Sequence, residues 1–260
     1  MIVKIIKMFF DGYSRKARLF PTIIIFSPII LLSVLYCYQT KKEWIERILA
    51  LNPTMQVAVV SVVFICFVVI VWLGSFFIRN RGKNWEERIF RNGCGFPTTQ
   101  LLMWKDRFFS DDFKQRLHSA IKADFLISLP NQKDEERALE KTERTIKDVV
   151  DLIRPRVADG RIVIQYNTQY GFVRNTLGSI DLFTLEWVVL IALAYLSKQN
   201  RVYGLACIVI SVCSGLLWIC RKRILLPHAT RYANTLFHEY YEQRGRDASI
   251  ASNNNPRKSK

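Results

Sequence analysis

Three uncharged apolar runs constrain this chain more than any other feature. Residues 19–38, 57–78 and 202–220 contain 20, 22 and 19 consecutive residues without Asp, Glu, Lys or Arg. As α-helices rising about 1.5 Å per residue, each reaches the roughly 30 Å of a bilayer's hydrocarbon core. A half-buried strand or an amphipathic helix would interrupt such runs with polar residues every two to four positions. A fourth run, residues 182–196, is shorter and carries Glu186 near its start. A buried core helix is the alternative for this run, but its short polar spacing from the next run favours a helical hairpin. The expected class is an all-α membrane protein: four transmembrane helices, with a mainly helical cytoplasmic domain between spans 2 and 3.

Basic residues set the orientation. Lys4, Lys7, Arg15, Lys16 and Arg18 precede the first run; Arg79, Arg81, Lys83, Arg88 and Arg91 follow the second; Arg221, Lys222 and Arg223 follow the last. The connecting loops are poorer in charge, so the positive-inside rule puts both termini and the long middle segment in the cytoplasm. All but one unit of the net +16 falls in residues 1–18, 79–180 and 221–260. Topogenesis and anionic headgroups account for the flanks. The excess in the middle segment also suits a polyanionic partner.

The organisation expected along the chain follows from these runs. Residues 1–18 set Lys4, Lys7 and Asp11 on one face against Ile2, Ile5, Ile6, Phe9 and Phe10, an interfacial amphipathic helix rather than a cleavable signal. Residues 19–78 form transmembrane hairpin 1, 79–180 the cytoplasmic domain and 181–220 transmembrane hairpin 2. Within the cytoplasmic domain, Thr98 or Thr99 is a cap for a short helix reaching Trp104, and Ser110 caps another from Asp111 to about Asp124. Residues 133–157 read as one long charged helix. Residues 161–166, RIVIQY, are β-branched enough for a strand, and strand or helix is left open. After Pro227, the recurrence of Ala229, Tyr232, Ala233, Leu236, Phe237 and Tyr240 makes residues 221–243 a cytoplasmic amphipathic helix that needs a packing partner. Residues 244–260 read as a disordered basic tail.

Little in the chain carries chemistry. Cys37, Cys66, Cys94, Cys207, Cys213 and Cys220 show no CxxC spacing, and five of them lie in apolar runs. His118, His228 and His238 are scattered, and no phosphate-binding loop, dinucleotide fingerprint or nucleophile elbow is present. No catalytic residue, metal or cofactor is expected. Glu186 is the candidate pore or intramembrane group, because an ionisable side chain within a span marks function or snorkels to water. Cys207, Ser211 and Gly215 recur every four residues, a surface that lets another helix approach, with Ser211 and Gly215 the packing candidates.

The stretch before the third span, NTQYGFVRNTLGS at residues 167–179, is dense in aromatics, amides, glycines and one arginine. Such groups stack a base and hold a phosphate, and they equally suit a linker resting on headgroups. Tyr170, Arg174 and Asn175 are the candidates for ligand or subunit contact. Arg154, Arg156 and Arg161 form a basic set nearby, although Arg154 and Arg156 also suit the end of a helix dipole.

The order GFPTTQLL, a charged helix, NTQYGFVRNTLGSID and two final spans resembles small bacterial membrane proteins encoded beside nucleotidyltransferases in antiphage defence, as in CBASS and Hailong systems. In these a YGFxRNLxG-like string precedes the third span. Here it stands as Tyr170, Gly171, Phe172, Arg174, Asn175, Leu177 and Gly178, with Thr176 inserted before Leu177. The resemblance covers residues 93–220 in order and spacing. It implies an inner-membrane antiphage effector whose cytoplasmic domain binds a nucleotide or short oligonucleotide from a partner nucleotidyltransferase. It also implies a homo-oligomer, a tetramer in the Hailong case, that opens a channel. The residues alone leave two alternatives: a non-conducting scaffold or regulatory subunit, and a lipid-modifying enzyme that would need Glu186, His118 or His238.

Overall fold

The structure is a computed structural model that describes residues 11–40, 42–91, 95–196 and 201–253. Its regular structure is all helical, joined by turns and irregular segments, with no strand among these residues. In chain order the elements are α1 (Gly12–Ser14), a π-helical turn (Arg15–Leu19), α2 (Phe20–Thr40), α3 (Lys42–Leu49), α4 (Pro53–Arg91), α5 (Pro97–Gln100), α6 (Asp111–Phe125), α7 (Gln132–Arg137), α8 (Leu139–Arg156), α9 (Arg161–Leu177), α10 (Ile180–Leu196) and α11 (Arg201–Asn253).

Three helical stretches, Gly12–Ser33, Pro53–Arg91 and Gly204–Asp247, are long and apolar enough to cross a membrane. A fourth crossing is reached if Arg161–Leu177 and Ile180–Leu193, which meet at a 43° bend, act as one span. The apolar window of α4 is only 6% buried inside the chain, and that of Gly204–Asp247 only 11%. Val57, Ile70 and Ile219 each expose about two-thirds of their surface. Water would not tolerate a sheath of that size, whereas hydrocarbon solvates it without cost. These helices therefore have the length and the outward apolar surface of membrane-crossing segments rather than of core helices in a soluble domain.

The chain divides into two compact units. The first takes residues up to Glu86 together with Gly171–Ile224; the second takes Glu87–Tyr170 and Leu225 onward.

In the first unit, α10 packs along α2, and Gly74 of α4 brings Thr22 and Phe26 of α2 into direct contact. Leu19 and Val71 are buried together, with Trp72 against them. Thr184 of α10 donates to Ser214 of α11 at 2.9 Å, a polar tie of the kind spans use where no water competes.

The second unit buries amphipathic stripes. On α8 these are Thr142, Ile146, Val149, Val150 and Ile153; on α6, Leu117, Ala120 and Ile121; on α11, Ala229, Tyr232, Ala233, Leu236, Phe237 and Tyr240. The 3.6-residue period seen in sequence is the period that buries them. The α11 stripe finds its partner here, with Phe237 against Phe109, Tyr240 against Phe125, and the Tyr240 hydroxyl donating to Asp124 at 2.8 Å.

Residues 101–106 fold around two buried charges. Lys114 is fully buried, and its ammonium donates to the carbonyls of Met103, Trp104 and Asp106. Glu135 accepts from the backbone N–H groups of Trp104 at 2.7 Å and Lys105 at 3.1 Å. Burial lowers the Lys114 pKa from its ordinary value, and the nearby carboxylates partly offset that.

Several expectations are corrected. Ser110 caps α6 as expected, accepting from Phe113 N. Thr98 and Thr99, by contrast, lie inside the four-residue α5, whose cap position is Phe96 and whose first residue is Pro97. The long charged helix is two helices broken at Ala138 (φ −139°, ψ 56°), which turns Glu135 into the unit where Trp104 and Lys105 hold it. Residues 161–166 are helical: Val163 and Tyr170, two turns apart, are both buried, and tertiary packing overrides β-branched propensity. Pro227 starts no new helix but sits within α11. Residues 244–253 continue that helix, supported by Arg246 pairing back to Glu239 at 3.1 Å. Of the expected interfacial helix, residues 1–10 lie outside the described residues. From Gly12 the chain runs unbroken into α2, started by the Asp11 carboxylate accepting from Ser14 N. The last seven residues of the expected tail, 254–260, also lie outside the described residues.

Candidate functional site

Residues 170–177 of the string lie on α9, with Gly178 in the turn that follows it, and its glycines serve packing. A Cβ on Gly82 of α4 would lie 2.6 Å from Asn175 Oδ1, 3.0 Å from Asn175 Cα and 3.1 Å from the Arg174 carbonyl oxygen. A Cβ on Gly178 would lie 2.6 Å from Gly82 Cα. Backbone therefore meets backbone where α4 crosses the end of α9. Gly171 faces Ala17, with a Cβ there 3.0 Å from the alanine's own. Small residues at all four places let the first-span entry, α4 and α9 converge.

Polar side chains lock that junction. Asn175 is fully buried and donates from Nδ2 to the Ala17 carbonyl at 2.6 Å. Arg174, about nine-tenths buried, pairs with Glu86 at 3.1 Å and donates from Nε to Asn175 Oδ1 at 3.2 Å. Around this core stand further cations. Arg18 lies over the Tyr13 ring at 5.6 Å, and Arg79 and Lys83 occupy successive turns of α4 within electrostatic reach of Arg18 and Arg174. Beside the junction, Arg81 pairs with Asp181 at 2.5 Å, and Arg221 lies between the Trp85 and Trp218 rings at 5.1 and 4.9 Å.

The other sequence candidates fall elsewhere. Tyr170 belongs to the second unit, buried and stacked on Tyr232 with centroids 5.8 Å apart. Arg156 reaches Asp124 at 3.0 Å and covers the Phe125 ring at 4.4 Å. Asp124 also accepts from Tyr240 and from Arg244, making it a hub for α6, α8 and α11. Arg154 pairs with Asp151 one turn back, and Arg161 is exposed. Glu186 is half-buried in α10, with one carboxyl oxygen sealed from solvent and lacking a hydrogen-bond partner. In the small-residue strip, Cys207 is buried, whereas a Cβ on Gly215 would meet nothing within 4 Å. The hydroxyl oxygen of Ser211 is sealed and has no partner; the contact to α10 is made by its neighbour Ser214.

Sequence reasoning passed over two features. One is the α4 face of Gly82, Arg79, Lys83 and Glu86, whose signal was a glycine and alternating charges just past a span. The other is an open cleft of about 510 Å³ in the second unit, lined by Asp112, Gln115, Arg116 and Ser119 of α6 and Tyr241 and Arg244 of α11. His118 is structural: it donates from Nε2 to the Leu102 carbonyl at 2.9 Å and packs edge-on against Trp104 at 4.9 Å. Burial lowers its pKa below the ordinary 6.5, so it is neutral there. His238 is exposed and stacks on Phe113 at 4.8 Å. Among the described residues, no group of three His, Cys, Asp or Glu could hold a metal ion. The chain matches no protein-family model, no curated protein and no solved structure.

Proposed function

We propose that this protein is a four-span effector of bacterial antiphage defence, with both termini on the cytoplasmic side. It self-associates, as a tetramer in the resemblance noted above, into a channel gated by a nucleotide or short oligonucleotide bound on the cytoplasmic side. The observation that supports this reading best is the clasp at Gly82, Arg174, Asn175 and Gly178. The string that carries the resemblance ties the entry of the first span and the emerging end of α4 to the helix leading into α10. A ligand moves a gate only through its different affinity for the closed and open states, so the element joining sensor to span is where that difference must act. The exposed apolar surface of α4 gives the spans a face for other copies, and Glu186 supplies an ionisable group for a lumen between them.

Ion flux from vesicles reconstituted with the purified chain tests the proposal. Co-purifying nucleotide is identified by mass, removed and added back. Flux that changes with nucleotide and is lost in Glu86→Ala or Arg174→Ala supports gating through the clasp. Vesicles that pass no ions in either state refute the channel and leave a non-conducting scaffold or regulatory subunit.

A further inference from the structure

We infer that Arg18, Arg79 and Lys83 form a binding site for a phosphate-bearing anion at the cytoplasmic end of the first two spans. Arg18 is the last residue before the first apolar run and Arg79 the first after the second. With Leu19 and Val71 packed together beside them, the two guanidinium groups lie within electrostatic reach of one another at the same end of the two helices. Lys83 is one turn further along α4, and its neighbours in charge are Arg79, Arg174, Arg18 and the carboxylate of Glu86. Arg174 is the cation that pairs with Glu86. Among the described residues the other three cations form no salt bridge; Asp11 lies within electrostatic reach of Arg18 and Glu86 of Lys83, which leaves the cluster cation-rich. The Nε groups of Arg18 and Arg79 are sealed from solvent with no hydrogen-bond partner.

Holding three like charges together and desolvating donors is unfavourable unless an anion offsets both. Two guanidinium forks and one ammonium are the donor set that phosphate oxygens take. The neighbouring Gly82 crossing holds the three on a fixed backbone. An anionic lipid headgroup and the phosphate of a soluble nucleotide share this chemistry. The site rests only on the membrane placement of the spans and stands whether or not the chain conducts.

The test uses the full chain. In lipid nanodiscs of phosphatidylcholine with or without phosphatidylglycerol, native mass spectrometry counts retained lipids. In neutral detergent, inorganic phosphate and ATP are titrated while melting is followed. The variant Arg79→Gln/Lys83→Gln is compared with Arg88→Gln/Arg223→Gln, which removes the same charge from exposed positions of the same flanks. The expected result is binding weakened about tenfold or more in the first pair and by less than about twofold in the second. Retention of phosphatidylglycerol alone identifies a lipid site, and a response to phosphate or ATP a soluble ligand. Equal loss in both pairs, or no anion bound by the wild type, overturns the assignment. Lys83→Gln alone, at an exposed position, serves if the double variant does not fold. Flux recorded on the same variants is an independent readout, so a failed channel and a failed anion site are told apart.

Discussion

Replacing Gly82 with alanine separates two opposed effects by sign. In a helix interior alanine is favoured over glycine by about 1 kcal/mol, so propensity alone predicts a more stable protein. At this position the added Cβ would lie 2.6 Å from Asn175 Oδ1 and about 3 Å from the Asn175 Cα and the Arg174 carbonyl. Two of those three atoms are backbone and cannot swing aside, so α4 and α9 must move apart. Overpacking of this kind costs about 1–3 kcal/mol. Separation also strains the hydrogen bond from fully buried Asn175 to the Ala17 carbonyl, at about 1–3 kcal/mol for a buried amide left unsatisfied. After the propensity gain of about 1 kcal/mol, the net is a loss of about 1–5 kcal/mol. Thermal melting in one detergent, followed by tryptophan fluorescence, should show a midpoint lower by roughly 2–4 °C per kcal/mol. Gly178→Ala meets the same contact, and the double variant should lose less than the sum because one separation relieves both clashes. A Gly82→Ala protein that melts at or above the wild type would refute the crossing and the coupling role built on it.

Lys114→Met should destabilise the second unit by about 1–3 kcal/mol in urea unfolding, since it strips the donor from the carbonyls of Met103, Trp104 and Asp106. Asp124→Ala should cost about 1–3 kcal/mol, because Arg156, Tyr240 and Arg244 lose one shared acceptor; a loss under about 0.5 kcal/mol in the same assay would count against the hub. His118 has a folded pKa below its unfolded 6.5, so the stability linked to it is present above about pH 6.5 and is lost as pH falls through the folded value. Melting should therefore be level between about pH 7 and 8 and fall under acid, and His118→Gln should flatten that part of the profile.

The parts of this protein set by local composition were legible in sequence. A hydrocarbon core demands an uninterrupted apolar run, a requirement that residues 57–78 meet without reference to the rest of the chain. The stripes on α8 and α11 were visible because burying one side of a helix imposes a fixed period, and Ser110 because its cap acts within three residues. That three helices are long and apolar enough to cross a membrane follows from this, and the bend at 178–179 is why the fourth run, in the 17-residue α10, qualifies only together with α9.

Other features depended on partners far away in the chain. RIVIQY is helical with Val163, like Tyr170 two turns on, buried on the packed side, and that burial outweighs the propensity of β-branched residues. Gly171 and Gly178 stood in sequence only as members of a glycine-bearing stretch, yet they are contact points whose meaning lies in Ala17 and Gly82, about 100 residues or more away. Arg174 and Asn175 looked like ligand-reading groups, and the fold gives them Glu86 and the Ala17 carbonyl as partners. Arg79 and Lys83 looked like ordinary flanking charge until the crossing set them beside Arg18. Sequence alone therefore determined which segments are apolar and long enough for lipid and which faces must be buried, because solvent acts on each residue locally. Which cations and glycines meet at the membrane surface was decided by tertiary structure, because close approach and charge pairing are properties of pairs that only the folded chain brings together.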